Sequence, residues 1–578
     1  MKKILSVMLA LALVLSSFVF TCVTAAAAGG DITDGLTWCF DENTGLLTIS
    51  GAGDMPDYDN LGEFAMPWGE YAFSAKSLVI GEGVTRIGVG SFALFTELEN
   101  VSFPSTLKSI GEYAFAYCGK IESITLDGIE EIGSYAFMGC SCEACANDLG
   151  LEMPEERTGL NTLTITGEDY IISDLAFACC FELDTVTLDG VKEIGETAFA
   201  YCSNVGFAMY NDAPLPEQKS GLKHLIISGN SVNIGYGAFI FCMEMTDVFL
   251  EGIDVIGDNS FSYCANLGSL EIDDVTKIGE GAFSGCCAAF VNGAFGEEVY
   301  PENAGLKEVI IHGNAAELSD GAFAQCLLLS DVIFDDVVYA GSGVFEDTAL
   351  IADENNYRNG CFYVDGMLFE ISDEEISSPY IIAPGTKGII GGSFEDMSGL
   401  DVYFPAEVET ICSSAFGANN VRFFGEEGSA AESYAELNGI PFKTAYVASD
   451  DLTLNYDEKV IFFDDAEESS VLYDLYTITN DKYSMNINAS SDYCRTGDTV
   501  TVKDGDTVKA VYTVAVKNDL NGDFVCDVLD IALAETLMSG ARDADGAQIL
   551  AAKGSADYLD SYEVTAADYQ ALVNTALA

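Results

Sequence analysis

The chain has 578 residues, 49% of them hydrophobic, with 93 acidic against 24 basic side chains and a formal net charge of −69. Such a composition can bury a core, which sets disorder aside, and so negative a surface repels phosphate backbones and anionic membranes, which argues against nucleic acid as a partner. With two histidines only, His224 and His312, the chain gives no basis for a Ser-His-Asp triad or a His-rich zinc site. The charge suits divalent cations and an extracellular setting, and solubility alone explains it equally well.

Residues 1–28 read as a secretory signal: Lys2 and Lys3, an apolar run from Ile4 to Phe20, then the small residues Ala26-Ala27-Ala28. A lipid-modified Cys22 is the competing reading, and Thr21 is a poor residue to precede one. No later stretch is long and apolar enough to span a bilayer.

A repeat organises residues 76–442. The motif Ile-Gly-x-x-Ala-Phe-x-x-Cys recurs at Ile110 to Cys118, Ile132 to Cys140, Ile194 to Cys202, Ile234 to Cys242 and Ile278 to Cys286, with looser copies around Phe92, Phe177, Phe261, Phe323, Phe345, Phe394 and Phe416. Most steps between the motif phenylalanines are 22 or 23 residues; three are 40, and the step from Phe345 to Phe394 is 49. A short alternating segment precedes each motif, as in Leu183, Val186 and Leu188, which predicts a half-buried strand. The glycine and the small alanine are expected to let the chain turn tightly before the phenylalanine re-enters the core. One such unit cannot cover its own apolar side, so the units are expected to stack strand on strand into a parallel sheet.

These motifs resemble the BspA-like leucine-rich-repeat family of bacterial surface and secreted proteins. Residues 31–75, with Gly35-Leu36-Thr37-Trp38 and Pro67-Trp68, resemble the family's opening segment, and residues 425–442, from Gly428-Ser429 to Pro441-Phe442, its closing cap. The resemblance implies an α/β repeat solenoid, mostly parallel strands with short turns or helices, a binding or adhesive role, and no catalysis.

Two surfaces are candidates for a partner. The outward residue of each strand forms a column, Ser102, Thr125, Thr164, Thr187, Ile226, Phe249, Glu271, Ile310 and Ile333, hydroxylic first and then largely apolar. Ile226, Phe249, Ile310 and Ile333 are the candidate contact row, unless loops cover that face. The three long steps contain 18-residue insertions, 141–158, 203–220 and 287–304, all leaving the repeat after its cysteine. Their aromatics Phe207, Tyr210, Phe290, Phe295 and Tyr300 suit stacking a sugar or anchoring a protein, or else packing against the coil edge. The cysteines that share the repeat phase read as one buried packing column. For Cys140, Cys142 and Cys145 a local disulfide is expected ahead of a zinc site.

Periodicity stops after Phe442. Residues 450–516 alternate polar and apolar, predicting a small all-β domain, sandwich-like in character. Residues 517–578 follow. Asp519, Asn521, Asp523, the Val525 carbonyl, Asp527 and Asp530 fill positions 1, 3, 5, 7, 9 and 12 of an EF-hand-type loop for Ca²⁺, ahead of an apolar helix. A weaker copy runs through Asp557, Ser561, Thr565 and Asp568, with Leu559 where an oxygen ligand belongs. The pair resembles a dockerin, a small α-helical EF-hand-like module that binds the cohesin domains of cellulosome-type scaffolds. Phe524 and Tyr562 stand where the family has its sharp-turn glycine. The positions that touch cohesin in dockerins are here Val528 and Leu529, then Ala566 and Ala567. The leading expectation is a secreted binding protein of Ca²⁺-dependent attachment. A structural adhesin with a calcium-stiffened cap comes second, and a glycoside hydrolase third.

Overall fold

The computed structural model describes residues 27–58, 65–149, 158–358, 360–371, 378–394, 397–417, 420–449, 453–456, 459–464, 469–477, 483–489, 492–523, 526, 528–539, 546–553 and 564–576. The chain divides into two compact units, residues 1–337 with 341–352, and residues 338–340 with 353–578.

The first unit opens on an antiparallel meander of β1 (Ala27–Thr33), β2 (Leu36–Asp41) and β3 (Leu46–Gly51). The expected signal segment, residues 1–26 of it, lies outside the described residues, and β1 begins at Ala27. Short strands follow: β4 (Gly53–Asp54), β5 (Ser77–Ile80), β6 (Val84–Ile87), β7 (Asn100–Ser102), β8 (Ser109–Ile110), β9 (Ser123–Asp127) and β10 (Glu131–Ile132). Seven long strands complete the unit: β11 (Thr162–Ile172), β12 (Thr185–Ile194), β13 (His224–Ile234), β14 (Asp247–Ile256), β15 (Ser269–Ile278), β16 (Glu308–Leu318) and β17 (Asp331–Ala340). With β4, β6, β8, β9 and β10 they form a twelve-stranded sheet in which each strand neighbours the next repeat's, while β5 and β7 extend the sheet of β1, β2 and β3. Both β9 and β10 pair with β11, in parallel, so the early repeats carry as two short strands what the later ones carry as one.

Three columns run through this stack. The motif phenylalanines form a ladder, with Phe137, Phe177, Phe199 and Phe239 stacked at centroid spacings of 5.1, 5.0 and 5.1 Å and wholly buried. That spacing follows the strand-to-strand distance of about 4.8 Å. Trp68 seals the start of the ladder against Phe92 and donates its indole N–H to the Ser91 carbonyl at 2.9 Å. In the second column each motif thiol faces the carbonyl of the phenylalanine one coil back, as Cys202 does Phe177 at 3.2 Å and Cys326 does Phe283 at 3.0 Å. Cys140, Cys142 and Cys145 carry thiols, so the expected local bridge is not formed. Cys140 instead points to the Phe115 carbonyl, Cys142 to Glu182 and Cys145 to the Tyr117 carbonyl.

The third column corrects the expected role of the motif glycine. A Cβ at Gly195 would lie 2.6 Å from the Asp174 carboxylate and 2.7 Å from its amide. Its φ is not positive; the glycine is there because the neighbouring coil's backbone leaves no room. The left-handed turn falls on side-chain-bearing residues instead, such as Tyr113 and Tyr117 at φ 53° and 59°.

The second unit begins where the step between phenylalanines lengthens. An antiparallel hairpin, Cys361–Val364 with Met367–Ile371, precedes two more short parallel repeats, in which Phe394 and Phe416 stack at 4.5 Å. The helix Ala430–Asn438 closes this array, capped by the Ser429 hydroxyl and ended by Gly439 at φ 68°. A five-stranded sheet then forms from Thr453–Asn455, Val460–Phe463, Ser484–Asn488, Thr499–Asp504 and Thr507–Val516. It is not a free-standing sandwich. One face, with Ile461, Val500, Tyr512 and Val514, packs into a core shared with Tyr403 and Phe424. The other, with Val460, Phe462 and Ala515, packs on Leu520, Ala534, Leu550 and Leu572 of the helical tail. Val460–Phe463 is buried at every residue because each face has a partner. The expected boundary between residues 516 and 517 therefore crosses a single hydrophobic core.

Candidate binding surfaces

On the first unit the outward sheet positions align in register. Thr164, Thr187, Ile226 and Phe249 are consecutive partners, and Glu271 pairs with Ile310. Phe249, Ile226 and Ile333 are 55%, 41% and 42% exposed, while Ile310 is half-buried. Parallel rows on either side hold Asp247, Glu308 and Asp331, then Glu251, Asp273 and Asp335, all exposed. The basic side chains on strands β13 to β17 are the exposed Lys277 and the two histidines, His224 and His312, which lie 2.7 Å from Asp247 and 3.8 Å from Asp335. Side chains of Glu271, Asp273 and His312 converge, their ligating atoms within 4.8 Å of one another.

The three insertions leave and rejoin the coil through antiparallel bridges of the same kind, Ser141 with Gly159, Ser203 with Gly221, and Cys287 with Gly305. Each carries a short helix, Cys142–Leu149, Asn204–Tyr210 and Ala288–Phe295. They brace one another. Asn204 donates to Glu143 of the first insertion at 3.1 Å, and Lys219 donates to the Val299 carbonyl of the third while lying 4.6 Å from the Tyr300 ring centroid. Val205, Ala288, Val291 and Tyr300 form a core with Met243 and Ala265 of the coil edge. Tyr300 is thus a correction to the expected aromatic surface: it is buried, and its hydroxyl donates to Glu244 at 2.6 Å. Phe207 and Phe295 are half-buried, Phe207 against Phe181 at 5.0 Å. Phe290 is half-buried too, edge-on to Tyr263 at 6.4 Å. Tyr210 stays 64% exposed beside Tyr201.

In the tail, Asp519 and Asp530 are almost wholly buried. Asp530 accepts the amides of Leu520 and Asn521 at 2.8 and 3.0 Å, and Asp519 accepts those of Gly522 and Asp523 at 2.8 and 3.0 Å. Residues 519–523 turn tightly around these two carboxylates, with Gly522 at φ 77° and the Asn521 and Asp523 side chains exposed. Phe524, Val525 and Asp527 lie outside the described residues, as do Asp557, Leu559, Ser561, Tyr562 and the Val528 side chain. The second loop differs where it is described. Thr565 caps the last helix through Asp568, and the Lys553 ammonium lies 3.6 Å from that carboxylate. Leu529, Ala566 and Ala567 are exposed at the starts of the helices Val528–Met538 and Ala566–Ala576.

A stack of near-identical strand-and-turn coils, sealed by an aromatic cap and offering an open sheet face, defines a leucine-rich-repeat protein. The BspA-type leucine rich repeat model matches in six copies, over residues 69–144, 155–209, 217–300 and 293–422, more than half of the chain. The chain belongs to that family. Among solved structures, a leucine-rich repeat protein from Bacteroides ovatus is 17% identical, with 72% of this chain and 99% of that one covered and a TM-score of 0.32. A leucine rich cell surface protein from Faecalibacterium prausnitzii is 18% identical, with 72% and 97% covered and a TM-score of 0.22. A leucine-rich repeat protein from Eubacterium ventriosum is 17% identical, with 58% and 99% covered and a TM-score of 0.26. No curated protein matches. Among the described residues no helix is long and apolar enough to cross a membrane.

Proposed function

We propose that this is a secreted, non-catalytic binding protein whose repeat array engages a protein or glycan partner and whose tail docks, with Ca²⁺, onto a cohesin-bearing scaffold. The observation that carries the tethering half is the pair of buried carboxylates, Asp519 and Asp530, that close one short loop ahead of a helix. Burying two carboxylates in one loop is costly unless hydrogen bonds and a cation offset their charge. Backbone amides supply part of that compensation. The loop's donors are all hard oxygens, the set that calcium takes. Asp519, Asn521, Asp523, the Val525 carbonyl, Asp527 and Asp530 would hold the ion, which would lock the loop and fix the two helix starts bearing Leu529, Ala566 and Ala567. In the second loop Lys553 already faces Asp568, so a cation there is supplied by the chain, and one ion per chain is the expected stoichiometry.

The array's part in this reading rests on the exposed sheet face, which offers area, acidity and apolar patches. The test is cohesin capture by the full chain with and without chelator, using Asp519→Ala and Asp530→Ala. Calcium-dependent capture lost in both variants supports the docking claim; capture that ignores chelator, or none, removes it.

A further inference from the structure

The repeat sheet is not uniform. Across β13 and β14 every residue from His224 to Ser228 has its partner, and across β15 and β16 every residue from Ser269 to Asp273 does. Between β14 and β15 the register holds only Leu250 with Ile272, Val255 with Lys277, and Ile256 with Ile278. The leading ends of these two strands therefore part, and a cleft of about 340 Å³ opens between them. Val248, an inward position, is half-exposed there, whereas its equivalents Leu225 and Leu270 are buried. Gly268, just ahead of β15, has open space where a side chain would stand.

The cleft has two kinds of wall. Phe249 and Ile310 face it with apolar surface; Glu271, Asp273 and Glu308 face it with carboxylates. Around it the rows of Asp247, Glu251, Asp331 and Asp335 extend the negative field, and Ile226 and Ile333 extend the apolar row. A long cationic side chain matches both walls at once. Its methylenes would lie on Phe249 and Ile310, and its charged head would reach the carboxylates, with the Phe249 ring face adding attraction for the cation. A neutral sugar would leave the net negative charge of three carboxylates uncompensated, and an anion would be repelled.

We propose that the β14–β15 cleft is the anchor site for a lysine or arginine of a partner protein, presented on an extended segment that alternates basic and apolar residues across β13 to β17. This rests on the reading of the sheet face as a binding surface and adds the partner's chemistry to it. A peptide crossing the sheet meets a new strand about every 4.8 Å, while its own same-face residues lie about 6.6 Å apart; the two repeats fall out of step, so one deep anchor must set the register.

The test uses the full chain and a fluorescent twelve-residue peptide of alternating lysine and valine, followed by anisotropy at physiological salt in the presence of EDTA. Saturable binding is expected. The pair Glu271→Gln with Asp273→Asn should weaken it roughly tenfold, and Phe249→Ala several-fold. The pair Glu112→Gln with Glu280→Gln removes the same charge from exposed positions off this face and should change affinity by less than about twofold. A peptide with glutamine for lysine should not bind. Equal losses in both charge pairs would mean attraction to the chain's net charge alone and would overturn the anchor. So would binding that requires divalent metal, or no binding at all. Calcium uptake by the tail is read by calorimetry on the same protein, so failure of the cleft and failure of the tether are told apart.

Discussion

The Cys202 thiol donates to the Phe177 carbonyl at 3.2 Å, joining one coil's cysteine to the phenylalanine of the coil before it. The same pairing recurs along the stack, from Cys118 with Phe92 to Cys326 with Phe283. The cysteine column is thus a hydrogen-bonding ladder as well as packing, and along most of the stack it adds a second donor to a carbonyl, such as that of Phe137 or Phe199, that already accepts the amide of its own coil's cysteine. Cys202→Ala is expected to cost roughly 1–3 kcal/mol, from the orphaned carbonyl and a small void. Cys202→Ser, which keeps a donor, should cost less. Urea midpoints of the two variants decide; equal losses would reduce the column to space-filling.

Burial raises the thiols of Cys118, Cys140, Cys180, Cys202, Cys242, Cys264 and Cys286 above their ordinary value of 9.0. The folded state therefore holds these protons more tightly than the unfolded chain. Their contribution to stability is full below the unfolded thiol value of about 8.5 and is lost progressively as pH rises beyond it. Stability measured by urea should be flat from neutrality to about pH 8.5 and fall steeply above. A thiol-alkylating reagent at pH 8 should leave the column untouched until the repeats unfold.

Gly195→Ala tests the close approach between coils. The added methyl would sit 2.7 Å from the Asp174 amide, a backbone atom that cannot swing aside. A loss of about 2–4 kcal/mol is expected. Thermal melting of the variant against the parent chain checks the assignment.

Lys219→Ala should loosen the third insertion without melting the coil. The lysine is the donor to the Val299 carbonyl and lies over Tyr300. Hydrogen exchange is expected to rise across residues 288–304, while the strands β11 to β17 keep their protection.

Calorimetry on the full chain should find one Ca²⁺ bound, and none in Asp530→Ala. The full chain is needed because Leu520, Ala534 and Leu572 share a core with Val460 and Phe462, so a fragment cut at residue 517 would lose its packing partner.

The repeat architecture was readable because a 22-residue phase forces the same residue types into the same columns, and Phe137, Cys140 and Ile132 can occupy equivalent positions in one geometry alone. Ile226, Phe249 and Ile333 were readable as exposed because period-two alternation leaves one face outward. What lies between repeats was not. The burial of Tyr300 depends on Glu244, which is 56 residues away, and on Lys219 from another insertion, and neither pairing leaves a periodic trace. The parting of β14 from β15 is equally silent, since Leu267, Leu270 and Ile272 keep the strand pattern that pairs fully elsewhere. The motif glycine was visible as a residue and misread as a turn former, because steric exclusion by the next coil and freedom of φ select the same amino acid.

Each insertion enters and leaves at a single pinched point, the bridges at Gly159, Gly221 and Gly305. The solenoid's pitch is indifferent to what is spliced there, because the two ends of the splice are already held side by side. Loops of other lengths and sequences could be exchanged at these doorways without re-registering a single strand, which makes this edge of the first unit a ready mount for grafted recognition segments.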